Sequence, residues 1–170
     1  MILKIKEVRR YIQTDLSDDE LIFKLSAIEM GIRKYTNNYF QNRAMRCTSE
    51  IRDGVILTPS EYFEVGDTVQ ISEQPVNDGL FVIEAGMSLN PTPIDGERNT
   101  ISKVIYPIDV KMGAINLLKW EIERRDKVGI SSETISRHSV TYFSMDGSNT
   151  AIGFPSPLLG FLKPYMKARF

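Results

Sequence analysis

Residues 66–83 read Gly-Asp-Thr-Val-Gln-Ile-Ser-Glu-Gln-Pro-Val-Asn-Asp-Gly-Leu-Phe-Val-Ile. Two β-type runs, Thr68-Val69-Gln70-Ile71 and Leu80-Phe81-Val82-Ile83, stand either side of Asn77-Asp78-Gly79. Those turn residues tolerate positive φ, so the spacing predicts a hairpin. A third run, Val55-Ile56-Leu57, follows Asp53-Gly54. A fourth occupies residues 101–106, after a stretch at 90–99 that reads as a loop because it holds Pro91, Pro93 and Gly96. Short strands this close together predict a small antiparallel barrel or sandwich, with the cadence of an SH3-like unit.

On both sides the hydrophobic period becomes helical. Residues 2–12 form a short amphipathic segment through Ile5, Val8 and Ile12. Ser17-Asp18-Asp19-Glu20 is a capping box, and Leu21, Leu25, Ile28, Ile32 and Tyr35 then mark one face of a helix. After the β stretch, Pro107-Ile108-Asp109 supplies a boundary and an Asp cap for a long helix over 110–127, which Gly129 stops. The first half of that helix is apolar on more than one face and so needs cover from two sides. In so small a protein the second cover is a neighbouring subunit, with Met112, Ile115 and Trp120 as the contact residues. Ser156-Pro157 opens a last helix through Leu158, Leu159, Phe161 and Leu162, which Pro164 ends or kinks. The predicted fold is α+β: a helical core of three to four helices from residues 1–43 and 107–170, with a small SH3-like antiparallel β module at 44–106 inserted in it.

Charge follows the same division. Residues 1–43 carry net +2, residues 44–106 net −6 and residues 107–170 net +3. A shift of that size marks the middle as a separate unit. Its negative sign opposes phosphate binding, so an interaction or spacer module is the better reading than a nucleic-acid-binding one, which stands as the alternative. From Gly147 onward there is no acid, and Lys163, Lys167 and Arg169 lie near the end.

Catalytic and cofactor signatures are missing from the chain. It has one Cys, Cys47, and one His, His138, which excludes a disulfide framework, Cys-rich metal sites and poly-His sites. No phosphate-cradling glycine loop and no nucleophile elbow occurs. Cys47 reads as a small strand residue and His138 as a polar loop residue rather than as a nucleophile and its base. Asp18-Asp19 and Glu121/Glu123 suit a helix start and a solvated helix face better than a metal. The expectation is no enzyme, no cofactor and no metal. The start is too charged for a signal peptide. The most apolar late stretch, residues 151–162, is broken by Pro155 and Pro157 and is shorter than the roughly 20 residues of a membrane span, so no membrane partner is expected.

Several motifs taken together resemble a known family. They are Asp15-Leu16-Ser17-Asp18-Asp19-Glu20-Leu21 with the helix ending at Tyr39-Phe40, then Pro107-Ile108-Asp109-Val110 and its long helix. Gly129-Ile130-Ser131-Ser132-Glu133-Thr134-Ile135, Ser139-Val140-Thr141-Tyr142, Gly153-Phe154-Pro155 and Leu162-Lys163-Pro164-Tyr165 complete the pattern. Over residues 1–43 and 107–170 the chain resembles the head-tail connector (adaptor) proteins of long-tailed double-stranded DNA bacteriophages. The β stretch at 44–106 looks like an elaboration on the simplest members. The resemblance implies a structural part of the virion at the head-tail interface, assembled in the host cytoplasm. It implies a homo-oligomeric ring, usually dodecameric, under the portal protein. Such a ring extends the DNA channel, lets genomic DNA pass without sequence-specific binding, and presents a surface to the stopper or tail-completion protein. It further implies a portal-docking C-terminal segment: here Leu158, Phe161, Leu162, Lys163, Tyr165, Lys167 and Arg169. The part from Lys163 onward is expected to be loosely held until it docks, because Pro164 interrupts a single straight helix.

Overall fold

The computed structural model describes residues 1–124, 132–135, 138–141 and 150–168, the two middle segments as backbone strands. The chain divides into two compact units, one of Met1–Asn38 with Pro107–Phe170, the other of Tyr39–Tyr106.

The Tyr39–Tyr106 unit is built on β1 (Gln41–Arg52), β2 (Val55–Ile56), β3 (Thr68–Ser72), β4 (Gly79–Ile83), β5 (Leu89–Asn90) and β6 (Gly96–Val104). They form one six-stranded sheet in the order β2-β1-β6-β3-β4-β5, with every pairing antiparallel. Asp53 and Gly54 take φ of 50° and 75° in the turn that returns β1 onto β2, the left-handed pair that a two-residue hairpin requires. Register shifts between Gln41 and Arg46 and between Ser49 and Ile51 interrupt the β1–β6 ladder. Such irregularities bend a strand and increase its twist. The curled sheet brings its ends together: Val55 bridges Ser88, and the Leu89 N–H donates to the Gly54 carbonyl at 2.9 Å. The result is a nearly closed barrel. Ile51, Val69, Ile71, Phe81, Ile83 and Ile101 fill it.

This corrects the expected fold class. Helix makes up about 37% of the chain and strand about 28%, so the structure is not a helical core carrying a small SH3-like module. The β architecture begins earlier and runs longer than the apolar runs indicate. Residues 41–46 and 96–100 are mostly polar and lack alternation, yet they lie in the two longest strands: Gln41 and Arg46 pair with Val104 and Ser102 of β6, while Gly96, Asn99 and Thr100 pair with Ile51, Ser49 and Thr48 of β1. Asn99 is 1% exposed at the centre of that pairing. Its Nδ2 donates to the carbonyls of Gly96 (2.8 Å) and Ser49 (3.3 Å), and its Oδ1 accepts from Asn77 Nδ2 at 3.3 Å. The predicted hairpin of β3 and β4 forms, though Asn77 does not take the positive φ expected of its turn. It is buried and holds residue 94 through both side-chain atoms, at 2.7 and 2.9 Å, and the β3–β4 connection takes a longer path.

In the other unit, α1 spans only Ile5–Val8. The expected helix over residues 2–12 is cut short at its start, where the Ile2 N–H donates to the buried Glu29 carboxylate at 3.0 Å. The second helix, α2 (Asp18–Thr36), opens on the capping box: the Ser17 N–H donates to Glu20 Oε2 at 2.8 Å, and the Glu20 N–H donates to Ser17 Oγ at 3.3 Å. It ends at Asn37 in the left-handed conformation. Leu21, Leu25, Ile28 and Ile32 are buried against α3 (Ile108–Arg124), whose Val110, Ala114, Leu117 and Leu118 face inward. Two hairpins follow, β7 (Ser132–Ile135) with β8 (His138–Thr141) and β9 (Thr150–Ala151) with β10 (Phe154–Pro155). The chain then enters a 3-10 segment over Ser156–Tyr165, called the strap below. The expected stop of the long helix at Gly129 lies outside the described residues. Among the described residues no helix is long and apolar enough to cross a membrane.

Candidate functional site

The strap replaces the predicted α-helix at the C-terminal end. A 3-10 helix has three residues per turn, so side chains three apart eclipse. Leu159, Leu162 and Tyr165 therefore share one line. Leu159 and Leu162 are buried, and Tyr165 reaches α3, where its hydroxyl donates to the Asp109 carboxylate at 2.8 Å to either oxygen. That hydrogen bond is the main reason the Tyr165 phenol is raised above its ordinary pKa of 10.0. Asp109 is not the cap that the sequence suggests. It sits inside the first turn of α3, where it also accepts from the Val110 N–H at 2.9 Å. One turn along α3, Gly113 leaves room for the Phe161 ring, which would stand 2.2 Å from a Cβ placed there.

Beyond Tyr165 the chain is pinned to the C-terminal end of α2. Asn38 Nδ2 donates to the Tyr165 carbonyl (3.1 Å), the Lys167 N–H to the Thr36 carbonyl (2.8 Å), and Asn37 Nδ2 to the Ala168 carbonyl (2.8 Å). The expectation of a loosely held segment from Lys163 onward is thus corrected as far as residue 168. Of the expected portal-docking residues, Lys163 and Lys167 are exposed and Leu158, Phe161 and Tyr165 half-buried. Leu162 is fully enclosed by its own unit and offers nothing to a partner. Arg169 lies outside the described residues.

The expected subunit contacts separate in the same way. Ile115 is buried in its own unit, and Trp120 is half-buried with its ring edge-on to Phe154 at a centroid distance of 5.4 Å. Met112 alone is open to water. Sequence reasoning missed its neighbour one turn earlier: Ile108 is 85% exposed and Met112 41%. Residues four apart on a helix lie side by side, so they form one apolar knob at the N-terminal end of α3, with half-exposed Lys111 beside it.

A groove of about 610 Å³ opens at the opposite end of α3. Phe23, Ala27, Ile28, Ile152 and Phe154 supply its apolar wall, while Asp19, Glu20, Lys24 and Glu121 edge it. Lys24 and Glu121 pair across the helices at 3.7 Å, Glu20 is held by Ser17 in the capping box, and the exposed Asp19 carboxylate stands beside it on the rim. Phe23 is 77% exposed. It lies off the stripe through Leu21, Leu25, Ile28 and Ile32, and an aromatic on the polar face was the available sequence signal. Ile152 occupies the left-handed region at φ 49°, rare for a β-branched residue. The tight β9–β10 turn imposes that conformation and places Ile152 Cδ1 over Gly31.

Among the described residues there is no cluster of three or more His, Cys, Asp or Glu side chains able to hold a metal. Cys47 is half-buried in β1, and burial pushes its thiol up, away from the reactive thiolate. His138 falls in β8, and its side chain lies outside the described residues. Comparison with protein-family models and with curated proteins finds no match to this chain.

Proposed function

We propose that this chain is a structural subunit of a bacteriophage head-tail connector. In this reading it joins copies of itself in a ring beneath the portal, extends the DNA channel and gives the stopper or tail-completion protein a docking surface. The observation that carries the reading is the exposed apolar knob of Ile108 and Met112 at the start of a helix whose other exposed positions are polar. Burying a large aliphatic side chain is worth about 1.5–3 kcal/mol, and two adjacent ones at a helix end suit an assembly surface. The sequence motifs described above supply the family. The portal contact falls to the exposed cations Lys163 and Lys167 with the accessible edges of Leu158 and Phe161. DNA passes through the ring without sequence-specific contact, and assembly takes place in the host cytoplasm before the ring joins the virion.

Negative-stain imaging of the purified chain mixed with its portal tests this. Rings seated on one face of the portal are the expected result. The variant Lys163→Glu/Lys167→Glu should leave the fold intact and reduce portal occupancy. Portals left bare by the wild-type chain, or salt-dependent duplex binding in place of portal binding, would overturn the reading.

A further inference from the structure

We infer that the Ile108–Met112 knob of one copy seats in the Phe23–Ile152 groove of the next, so that copies join head to tail. The inference rests on the assembly reading above and names the surfaces that reading leaves open.

The knob and one edge of the groove belong to a single rigid element, α3. The knob occupies the first turns of α3, and Glu121 on the groove's edge lies near its last turn. At 1.5 Å per residue, Ile108 and Glu121 stand about 20 Å apart along the helix. A straight helix cannot bring its own two ends together, so the knob of one copy can meet only the groove of another.

The surfaces match in chemistry. The groove offers an apolar wall with Asp19 and Glu20 on its rim, and the knob offers two exposed aliphatic side chains with Lys111 beside them. Opposite charges at the edge of an apolar contact set its register more than its strength. The wall is also held ready. Ile152 is fixed by a turn its side chain disfavours, and persistent backbone strain of this kind marks positions over-determined by their surroundings. Joined head to tail, the contact is heterologous and grows into closed rings or open filaments, whereas two copies that exchanged knob and groove would stop at a two-fold pair, which a wild-type chain that never passes the dimer would reveal.

That geometry has a direct test, because each half can be disabled separately. Phe23→Asp spoils the groove and Ile108→Asp the knob, and both residues are so exposed that the fold should tolerate the change. Sedimentation velocity of the full-length wild-type chain should show assemblies growing past the dimer with concentration. Each variant alone should associate at least tenfold more weakly, a loss of about 1.4 kcal/mol, within the range of a central contact residue. An equimolar mixture of the two variants should yield heterodimers that grow no further, since one intact knob meets one intact groove. In a Cys47→Ser background, Phe23→Cys copies mixed with Ile108→Cys copies should form 23–108 disulfides between chains. Large assemblies from either Asp variant alone, a mixture without heterodimers, or 23–23 crosslinks in place of 23–108 would overturn the pairing. So would a wild-type chain that stays monomeric at every concentration. Rings on the portal that form equally well with Phe23→Asp would remove this pairing and leave the connector reading standing. Bare portals would remove the connector reading.

Discussion

Gly113→Ala is ordinarily a stabilising change in the middle of a helix, worth about 1 kcal/mol in propensity. Here it should do the reverse. A Cβ on residue 113 would stand 2.2, 2.3 and 2.5 Å from three ring carbons of Phe161, whereas carbon atoms settle at about 3.5–4.0 Å. The ring must retreat by more than ~1 Å from the seat that holds the strap on α3. Overpacking of this kind costs about 1–3 kcal/mol. Set against the propensity gain, the variant should lose about 1 kcal/mol, within a range of about 0–2. The decisive measurement is the double-mutant cycle with Phe161→Ala, read by urea unfolding at 222 nm. Without the ring the obstacle is gone, and Gly113→Ala should then stabilise by about 1 kcal/mol. The same substitution thus changes sign with its background, a coupling of about 1–3 kcal/mol. Equal stabilisation by Gly113→Ala in both backgrounds would refute the reasoning and free Gly113 from any role in seating the strap.

Other expectations follow from single contacts. Tyr165 has a raised pKa because its protonated hydroxyl donates to Asp109. Its contribution is therefore complete below the unfolded value of 10.0 and disappears as pH rises through the folded value. Stability measured across pH 9–12 should fall more steeply for the wild type than for Tyr165→Phe, and parallel curves would contradict the bond. Ser17→Ala removes the hydroxyl side of the capping box and should cost about 1 kcal/mol. It should also let the Glu20 carboxyl, now held below its ordinary range by the Ser17 backbone and hydroxyl, move back up in an NMR titration. Asn99→Ala leaves the buried Ser49 carbonyl, the half-buried Gly96 carbonyl and the Asn77 amide without a partner they now use, so urea unfolding should show a loss of about 1–3 kcal/mol.

How much of this was visible in the sequence depended on the distance over which each element is decided. The capping box of α2 is settled within four residues, Ser17 to Glu20, and was legible. So were the Asp53-Gly54 turn and the strands around Val69 and Phe81, where side-chain chemistry and local period agree. The polar first half of β1 and the start of β6 were not. Nothing in Gln41-Asn42-Arg43 or Gly96-Glu97-Arg98 favours a strand, and what anchors these stretches is distant pairing, Gln41 with Val104 and Gly96 with Ile51. Closure through Val55 and Ser88 is equally non-local, which is why a small insertion was expected where a barrel stands. The candidate site divides the same way. The apolar excess of α3 pointed to Met112, which is exposed. The spacing of Ile115 did not reveal that its own unit covers it, and an α-helical period assigned to the strap hid the enclosure of Leu162 that three residues per turn produces.

The two ends of the barrel segment meet. Gln41 pairs with Val104, the Ile105 N–H donates to the Phe40 carbonyl at 3.0 Å, and the rings of Phe40 and Tyr106 lie 4.8 Å apart. The consequence is kinetic. The α2 and α3 segments are separated in the chain by this whole segment, and an unstructured loop of roughly 70 residues opposes their meeting by about 4 kcal/mol of closure entropy. Once the barrel has formed, its clasped ends shorten that loop to a few residues. Folding of the helices should therefore wait on the barrel, so that in a stopped-flow experiment a fault in the β1–β6 clasp would slow the appearance of native α2–α3 packing without touching a single residue of either helix.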